Sequence, residues 1–326
     1  MVKLTEALDP SLEAAEKEVV KRFNAERDSR HYLGASEIGK ACSRELWYSF
    51  RKVKSRHIPY SGIVAIEDGY AQEEVAKKRL GTVFKMGDAQ AEISLFSGHF
   101  KGHIDGTIQE LVEAKKSVHV WEHKSCNEKK YAKLLKLKEE HGALEGGYVL
   151  EKWDPIYYAQ ATIYMFLLDL KRHFLTVSTP GGRNWQSVRT RLKAKFAKGL
   201  IKRAKSIIFS DVPPPRIAES KGSFACKWCD YKGICWDGET HELEARCQNC
   251  VHAEPVKQEG AKWKCRMNKP INELIPKGEI CEHHIFIPPI VPLEQTACQT
   301  NDNGELVSIT YSNRENRAGS GRFENA

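Results

Sequence analysis

Gly102-His103-Ile104-Asp105-Gly106 and Trp121-Glu122-His123-Lys124 are the two stretches that decide the fold and the chemistry of this chain. Each lies in a segment with the pattern of a strand: Phe100 to Ile108 alternates roughly between apolar and polar residues, and Ser117 to Glu122 is rich in β-branched and aromatic residues. Glu122 and Lys124 are two residues apart and therefore share a strand face. On adjacent strands, Asp105, Glu122 and Lys124 would place two carboxylates and an ammonium around one divalent cation. The pattern predicts a metal-dependent phosphodiesterase, although short strands also commonly end in charged residues.

The bulk composition indicates a soluble protein with one large domain and a small appendage. The chain has 326 residues, 51 Lys and Arg against 43 Asp and Glu, and a formal charge of +8, which suits a polyanionic partner. No stretch approaches the roughly 20 apolar residues of a membrane span, and Met1 to Ala7 lacks an apolar signal core. We therefore expect no membrane partner and a reducing, cytoplasmic location.

A basic run extends from Arg189 to Lys205. It holds eight Lys and Arg residues and no acid, and its spacing of apolar residues predicts a helix. Such a helix is either a solvated face or a face that follows the phosphates of a nucleic acid.

The remaining pattern predicts a mixed α/β core. Predicted helices run from Pro10 to about Asp28, from a Ser36 N-cap through Phe50, from about Ile66 past Leu80, and from Asp154-Pro155 through Leu168, with a strand over His173 to Ser178. The proline run at 213–215 marks a boundary, after which cysteines replace apolar periodicity. We predict a core domain at 1–238, a cysteine-rich metal module at 239–292 and a partly flexible tail at 293–326 with one strand at Leu306 to Tyr311.

Ten cysteines in a reducing compartment point to metal ligation rather than disulfides. Four of them fit a closed tetrahedral Zn²⁺ site, in which His283 or His284 is an alternative fourth ligand: Cys247, Cys250, Cys265 and Cys281. The module has too little apolar sequence to fold without such a site.

A second set has the spacing C-x2-C-x5-C and lacks a nearby fourth thiol: Cys226, Cys229 and Cys235. Cys42 is the best available fourth ligand, and it would fasten the two ends of the core domain together. Four thiolates suit either zinc or a [4Fe-4S] cluster, and spacing does not choose between them.

Together these motifs resemble the PD-(D/E)xK nuclease superfamily. Gly102-x2-Asp105 with Glu122-x-Lys124 is similar to its core motif, and Gln160-x3-Tyr164 is similar to the Q-x3-Y signature of the RecB-like branch. Gly69-x3-Glu73 stands where that branch has its helical metal ligand. Cys42 with Cys226, Cys229 and Cys235 resembles the iron-sulfur staple of AddB-type and CRISPR-adaptation nucleases. The whole resemblance spans about residues 36 to 236.

The resemblance implies a restriction-endonuclease-like fold, a mixed central sheet flanked by helices. It also implies a DNA exonuclease that is similar to the phage-type enzymes of recombination and repair, with a [4Fe-4S] cluster at the first cysteine set. Mg²⁺ or Mn²⁺ would be held by Glu73, Asp105 and Glu122. Lys124 would orient the attacking water, while Gln160 and Tyr164 would position the DNA strand.

Linear duplex or single-stranded DNA ends are the substrates that the resemblance implies, with a single-strand annealing protein as a partner. Glu73 departs from the pattern, because many iron-sulfur members have His there, and Glu74 competes for the role. The cysteine-rich module is an addition that the family does not explain. The alternative is a nucleic-acid-binding protein that keeps the nuclease fold and does not cut.

Overall fold

The structure is a computed structural model that describes residues 9–26, 30–87, 90–142, 145–257, 260–277, 280–312 and 314–325. The expectation for Met1 to Ala7 lies outside the described residues. Within the described ranges the helices are α1 Pro10–Glu26, α2 Ser43–Phe50, α3 Tyr60–Gly81, α4 Glu128–His141, α5 Gly146–Trp153, α6 Pro155–Leu167, α7 Ala194–Ile208 and α8 Ile271–Lys277.

The strands form a mixed sheet and three smaller sheets, which confirms the mixed α/β expectation. The strands are β1 Leu33–Gly34, β2 Lys85–Gly87, β3 Glu92–Leu95, β4 Phe100–His103, β5 Gly106–Gln109, β6 His119–Ser125, β7 Arg172–Ser178, β8 Trp185–Arg191, β9 Ala253–Pro255, β10 Trp263–Cys265, β11 Gln295–Thr300, β12 Leu306–Tyr311, β13 Arg314–Arg317 and β14 Phe323–Asn325. The central sheet has the order β2-β5-β6-β7-β8, in which only β6 and β7 are parallel neighbours. The other sheets are β1-β4-β3, β10-β9 and β11-β12-β13-β14.

The central sheet lies between α3 and α6. Trp121 on β6 packs with Ala76 and Leu80 of α3, so α3 covers one face. Glu122, the next residue, points to the other face and contacts Gln160 of α6. Because side chains alternate along a strand, β6 serves both layers and is buried on both sides over His119 to His123.

Helix α6 forms for reasons visible in its sequence. Asp154 caps it by accepting hydrogen bonds from two backbone N–H groups of the first turn, and Pro155 occupies the first helical position. Eight consecutive residues from Tyr158 to Met165 are then buried. A helix buried on nearly every side fits between a sheet and a second helical layer.

The predicted strand over Phe100 to Ile108 is in fact two strands in two sheets. β4 pairs with β1 and β3, whereas β5 pairs with β2 and β6. Ile104 and Asp105 form the crossing between them. A continuous alternating pattern cannot reveal such a break, because both strands keep the same alternation of side chains.

Two helix boundaries and the basic run also differ from the sequence prediction. The helix expected from Ser36 begins at Ser43 with Cys42 as its N-cap, and a turn precedes it. Helix α3 begins at Tyr60, six residues before the expected start. The basic run divides into the end of β8 and α7, because Arg189 and Arg191 belong to a strand.

The apolar residues of the cysteine-rich segment pack into the main core. Leu243, Trp263 and Phe286 belong to the same buried cluster as Leu46 and Ile163. The expected strand at Leu306 to Tyr311 is β12, and three further strands accompany it in the tail. The division into three domains and the mobility of the tail stay predictions. No helix among the described residues is long and apolar enough to cross a membrane.

Candidate active site

Asp105 and Glu122 meet at the point where the chain crosses from β4 to β5. Asp105 directly precedes Gly106, which pairs with Trp121 in the antiparallel register of β5 and β6, so Asp105 stands opposite Glu122. The backbone N–H of Asp105 donates to Glu122 Oε1 at 3.3 Å, and Asp105 Oδ2 accepts from the backbone N–H of His123 at 2.8 Å. Both carboxyl groups are buried. The two predicted carboxylates are therefore brought together, each tied to the other strand.

Lys124 places its ammonium between the two carboxylates. Its Nζ donates to Glu122 Oε2 at 2.8 Å and lies 3.6 Å from Asp105 Oδ2. Burial alone would lower the pKa of Lys124, but the two carboxylates outweigh burial and raise it. For Glu122 the balance is reversed, because burial raises its pKa more than the neighbouring ammonium lowers it. One ammonium thus faces two buried carboxyl groups.

Gln160 and Tyr164, one turn apart on α6, join the same group of side chains. Gln160 Nε2 donates to Glu122 Oε2 at 3.2 Å and to the Tyr164 hydroxyl at 3.1 Å. Burial, followed by the charge of Glu122, raises the pKa of Tyr164, so its hydroxyl keeps its proton. A Cβ atom on Gly102 would lie 2.7 Å from the Tyr164 ring and 2.8 Å from Ala35 Cβ. Gly102 is therefore required by close packing, since any side chain would displace the tyrosine.

Glu73 extends the site from the opposite helix, α3. Burial and then repulsion from Asp105 raise the pKa of Glu73 to about 7. Gln90 Nε2 donates to Glu73 Oε1 at 3.5 Å. Glu73 thus shares an electrostatic environment with Asp105 and Lys124, and the structure gives no hydrogen bond between Glu73 and either of them.

Asp68 is a site residue that sequence reasoning missed. Its Oδ2 accepts from the Ser125 hydroxyl at 2.7 Å, and its Oδ1 accepts from the Gly181 N–H at 3.4 Å. Asp68 therefore joins α3 to the end of β6, one residue beyond Lys124. One sequence feature could have indicated Asp68: Asp68 and Gln72 are four residues apart, as Gly69 and Glu73 are, and lie beside them on the same helix.

The donor set suits a hard divalent cation, because Mg²⁺ and Mn²⁺ prefer carboxylate oxygens. In the described part of the chain, no group of three or more His, Cys, Asp or Glu side chains is arranged as a metal site. The nearest positive charge to Asp105 and Glu122 is the Lys124 ammonium. A carboxylate pair closed on a lysine is chemically able to exchange part of that contact for a metal ion.

The first set of cysteines is brought together around one small cavity. Its lining includes Cys42, Cys226, Cys229 and Cys235. Burial and then the neighbouring thiols and Glu45 raise the pKa of Cys229 to about 11, although the N–H of Tyr231 acts in the opposite sense. Cys42 occupies the N-cap of α2, where its sulfur accepts from the Glu45 N–H at 3.4 Å. Cys42, which is distant in sequence, therefore lies at the same cavity as the other three thiols, and its role as a ligand stays a prediction.

The second set of cysteines lines another small cavity, together with three histidines. The cysteines are Cys247, Cys250, Cys265 and Cys281, and the histidines are His252, His283 and His284. Burial and then the three other thiols raise the pKa of Cys247 to about 12. His284 Nε2 is 3.0 Å from Asn249 Oδ1, which gives this histidine a partner outside the cavity.

The comparisons with known proteins give partial structural likenesses only. No protein family matches this chain, and no characterised protein matches it by sequence. The solved protein SSO0001 is 14% identical with a TM-score of 0.39, over 70% of this chain and 96% of that one. The alkaline exonuclease LHK-Exo from Laribacter hongkongensis is 13% identical with a TM-score of 0.39, over 57% of this chain and 90% of that one.

A phage-related exonuclease from Haemophilus somnus 129PT is 11% identical with a TM-score of 0.38, over 54% of this chain and 91% of that one. Identities and TM-scores of this size carry no functional conclusion. The function of this chain has to be argued from Asp105, Glu122, Lys124 and the side chains around them.

Proposed function

We propose that this chain is a divalent-metal-dependent deoxyribonuclease of the PD-(D/E)xK type. The observation that carries the proposal is the contact of Lys124 on β6 with Asp105, at the crossing from β4 to β5, and with Glu122 on β6, at 3.6 and 2.8 Å. Two buried carboxylates and an ammonium at one point match the donor set needed for phosphodiester hydrolysis. Glu73 supports it from α3, where burial and then repulsion from Asp105 raise its pKa to about 7.

Mg²⁺ or Mn²⁺, held by Asp105 and Glu122 with Glu73, would neutralise the scissile phosphate and activate the attacking water. Lys124 balances the charge of the carboxylates and offers donor hydrogens to a phosphate oxygen or to that water. Gln160 orients Glu122 and Tyr164 through its two hydrogen bonds. The Tyr164 hydroxyl, kept protonated by burial, remains a donor for the backbone of the bound strand.

The proposed substrates are linear duplex or single-stranded DNA ends, and the proposed setting is phage-type recombination or repair with a single-strand annealing protein as partner. The modest basic excess of +8 is compatible with a polyanionic substrate. A cytoplasmic location stays a prediction.

Digestion of end-labelled linear and covalently closed circular DNA tests the activity. We expect Mg²⁺-dependent loss of the linear DNA only, and a fall of at least about a thousandfold in Asp105→Asn, which removes a metal ligand. Glu92→Gln is the matched control, since Glu92 is a half-exposed acid on β3 that pairs with Lys101 outside the carboxylate group. Tight DNA binding without any digestion would contradict the nuclease proposal and favour the alternative, a nucleic-acid-binding protein that does not cut.

We further propose that the first cysteine set holds a [4Fe-4S] cluster and the second a Zn²⁺ ion. What supports both assignments is the gathering of four thiols at each cavity, with pKa values raised for Cys229 and Cys247. A ligated metal would relieve that cost by holding the thiolate form. The iron, sulfide and zinc contents of the purified variants test both assignments. We expect Cys226→Ser to lose iron and Cys265→Ser to lose zinc. Stoichiometric zinc at both sets, in a colourless protein, would contradict the cluster.

A further inference from the structure

Phe224 and Trp228 have the highest exposures of the large hydrophobic side chains in the described residues, at 82% and 80%. They stand on either side of Cys226, which is only 7% exposed. The loop therefore turns its thiol inward to the cysteine cavity and its two aromatic rings outward. Aromatic rings this exposed are usually part of a binding surface, because leaving them in water forgoes the free energy of burial.

The backbone of this loop is held by successive tight turns. Cys226 N–H donates to Ser223 O at 3.0 Å, Lys227 N–H to Phe224 O at 3.2 Å and Cys229 N–H to Cys226 O at 3.3 Å. The Ser223 hydroxyl also accepts from the Ala225 N–H at 3.3 Å. A loop that is already ordered loses little conformational entropy when its side chains bind a ligand.

The charges around the rings are positive. Lys227 Nζ lies 5.0 Å from the centroid of the Trp228 ring. The one acid of the loop, Asp230, pairs with Arg56 at 3.3 Å, and Lys221 is balanced by Asp237 at 2.7 Å. In the described ranges, neither Lys227 nor Lys232 has a carboxylate within 4.0 Å. Two rings beside unbalanced ammonium groups suit a ligand that has flat faces and phosphates, namely an unpaired nucleic acid strand.

A continuous packed segment joins this loop to the candidate active site. Ala35 and the Tyr164 ring both pack closely around Gly102. Seven residues later, Cys42 lines the cavity that Cys226 and Cys229 also line. Between them, Gly39 packs on the first turn of α6. The aromatic loop therefore has a defined position relative to the helix that carries Gln160.

We propose that Phe224 and Trp228 form a stacking platform for the bases of a single-stranded segment of the DNA substrate, with Lys227 as its phosphate contact. The proposal rests on DNA being the substrate and assigns a second contact with it, outside the hydrolytic centre. Stacking accepts any base, so the platform would hold a strand without reading its sequence.

Binding of a fluorescent single-stranded oligonucleotide, measured by anisotropy in an Asp105→Asn background, tests the platform. Trp228→Ala should weaken binding about tenfold, as expected for the loss of one stacked base, and Trp228→Phe should restore most of it. An oligonucleotide with abasic sites throughout keeps its phosphates and should bind equally to both variants. Trp185→Ala is the control, since Trp185 is also exposed, at 42%, and lies on β8.

Lys227→Ala should instead reduce the salt dependence of binding for both oligonucleotides. The slope of log K against the logarithm of the salt concentration should become shallower by about 0.7, as expected for the loss of one phosphate contact. Equal losses on intact and abasic DNA, or no loss in Trp228→Ala, would overturn the platform and leave an acidic protein partner as the occupant. The nuclease proposal is judged separately, by digestion with the unsubstituted protein. If the protein does not digest DNA but its binding depends on Trp228, the nuclease proposal is refuted and the platform is supported. If it digests DNA but its binding does not depend on Trp228, the nuclease proposal is supported and the platform is refuted.

Discussion

At the scale of single residues, Lys124 is the counter-ion of the site. Its ammonium is about a fifth exposed and touches both carboxylates, whereas Glu122 is almost fully buried. Without it, two like charges would face each other in a poorly solvated place. In the proposed nuclease one side chain would therefore serve two tasks, the folding of the metal-free site and the chemistry of the metal-bound site.

Replacing Lys124 by Ala should destabilise the metal-free protein by about 3 kcal/mol, because the partner charges remain buried. Mg²⁺ should then stabilise Lys124→Ala more than it stabilises the unsubstituted protein, since the ion supplies the missing positive charge. Urea unfolding with and without Mg²⁺ measures both effects. Lys101→Ala, which breaks the more exposed pair with Glu92, is the control and should show neither. An equal Mg²⁺ effect in all three proteins would contradict this role.

At the scale of elements, the turn that precedes α2 fixes the position of α6. A Cβ atom on Gly39 would lie 2.5 Å from Ile156 Cα and 3.0 Å from Pro155 O, both in the backbone of α6. Backbone atoms cannot swing aside as a flexible side chain does. Gly39 therefore lets the segment leading to Cys42 lie directly on the helix that carries Gln160 and Tyr164.

Gly39→Ala should cost about 2 kcal/mol of unfolding free energy, since α6 has to shift to accept the methyl group. Gly69→Ala is the matched control, because Gly69 lies inside α3 with no atom within 4 Å of an added Cβ. That substitution should raise stability by about 0.5 to 1 kcal/mol, as an exposed helical Gly-to-Ala change does. Thermal or urea unfolding distinguishes the two signs. Equal effects would contradict the close packing.

The strands and the helix that carry the candidate site differ in how far the sequence predicts them. The spacing of Glu122 and Lys124, and that of Gln160 and Tyr164, predicted the faces on which they meet, because strand and helix periods are local properties. The division of residues 100–108 between two sheets was not predictable, since it depends on which distant strands are available for pairing. Asp68 was missed for a similar reason, because its partner Ser125 is 57 residues away.

At the scale of the whole molecule, Arg51 joins the cysteine-rich segment to the α/β core. The fully buried guanidinium donates to Gln248 O, Ala253 O and Ser210 O at 3.2, 3.1 and 2.8 Å. It lies 5.5 Å from the Trp47 ring and 5.2 Å from the Trp263 ring. One side chain at the C-cap of α2 thus satisfies carbonyl groups from both parts, and the Trp47 indole N–H shares the Ser210 carbonyl with it at 3.0 Å.

Arg51→Met should remove the side-chain donor from the Gln248 and Ala253 carbonyls, while Ser210 keeps Trp47 as donor, and should lower the unfolding free energy by about 3 kcal/mol. It should also separate the unfolding of the cysteine-rich segment from that of the core, which we expect to be one transition in the unsubstituted protein. Calorimetry should show one unfolding peak for the unsubstituted protein and two for Arg51→Met. Arg56→Met, at an exposed arginine paired with Asp230, should leave a single peak. A single peak for Arg51→Met as well would mean that the shared apolar cluster is sufficient.

The crossing from β4 to β5 has a consequence for the history of this chain. Two residues, Ile104 and Asp105, connect strands whose registers are set in two different sheets. One added residue would turn every later side chain of one strand to the wrong face. The turn at 301–304, between β11 and β12, carries no such double constraint. Relatives of this chain should therefore differ in length at turns such as that one, and keep the span from Phe100 to Gln109 free of insertions and deletions.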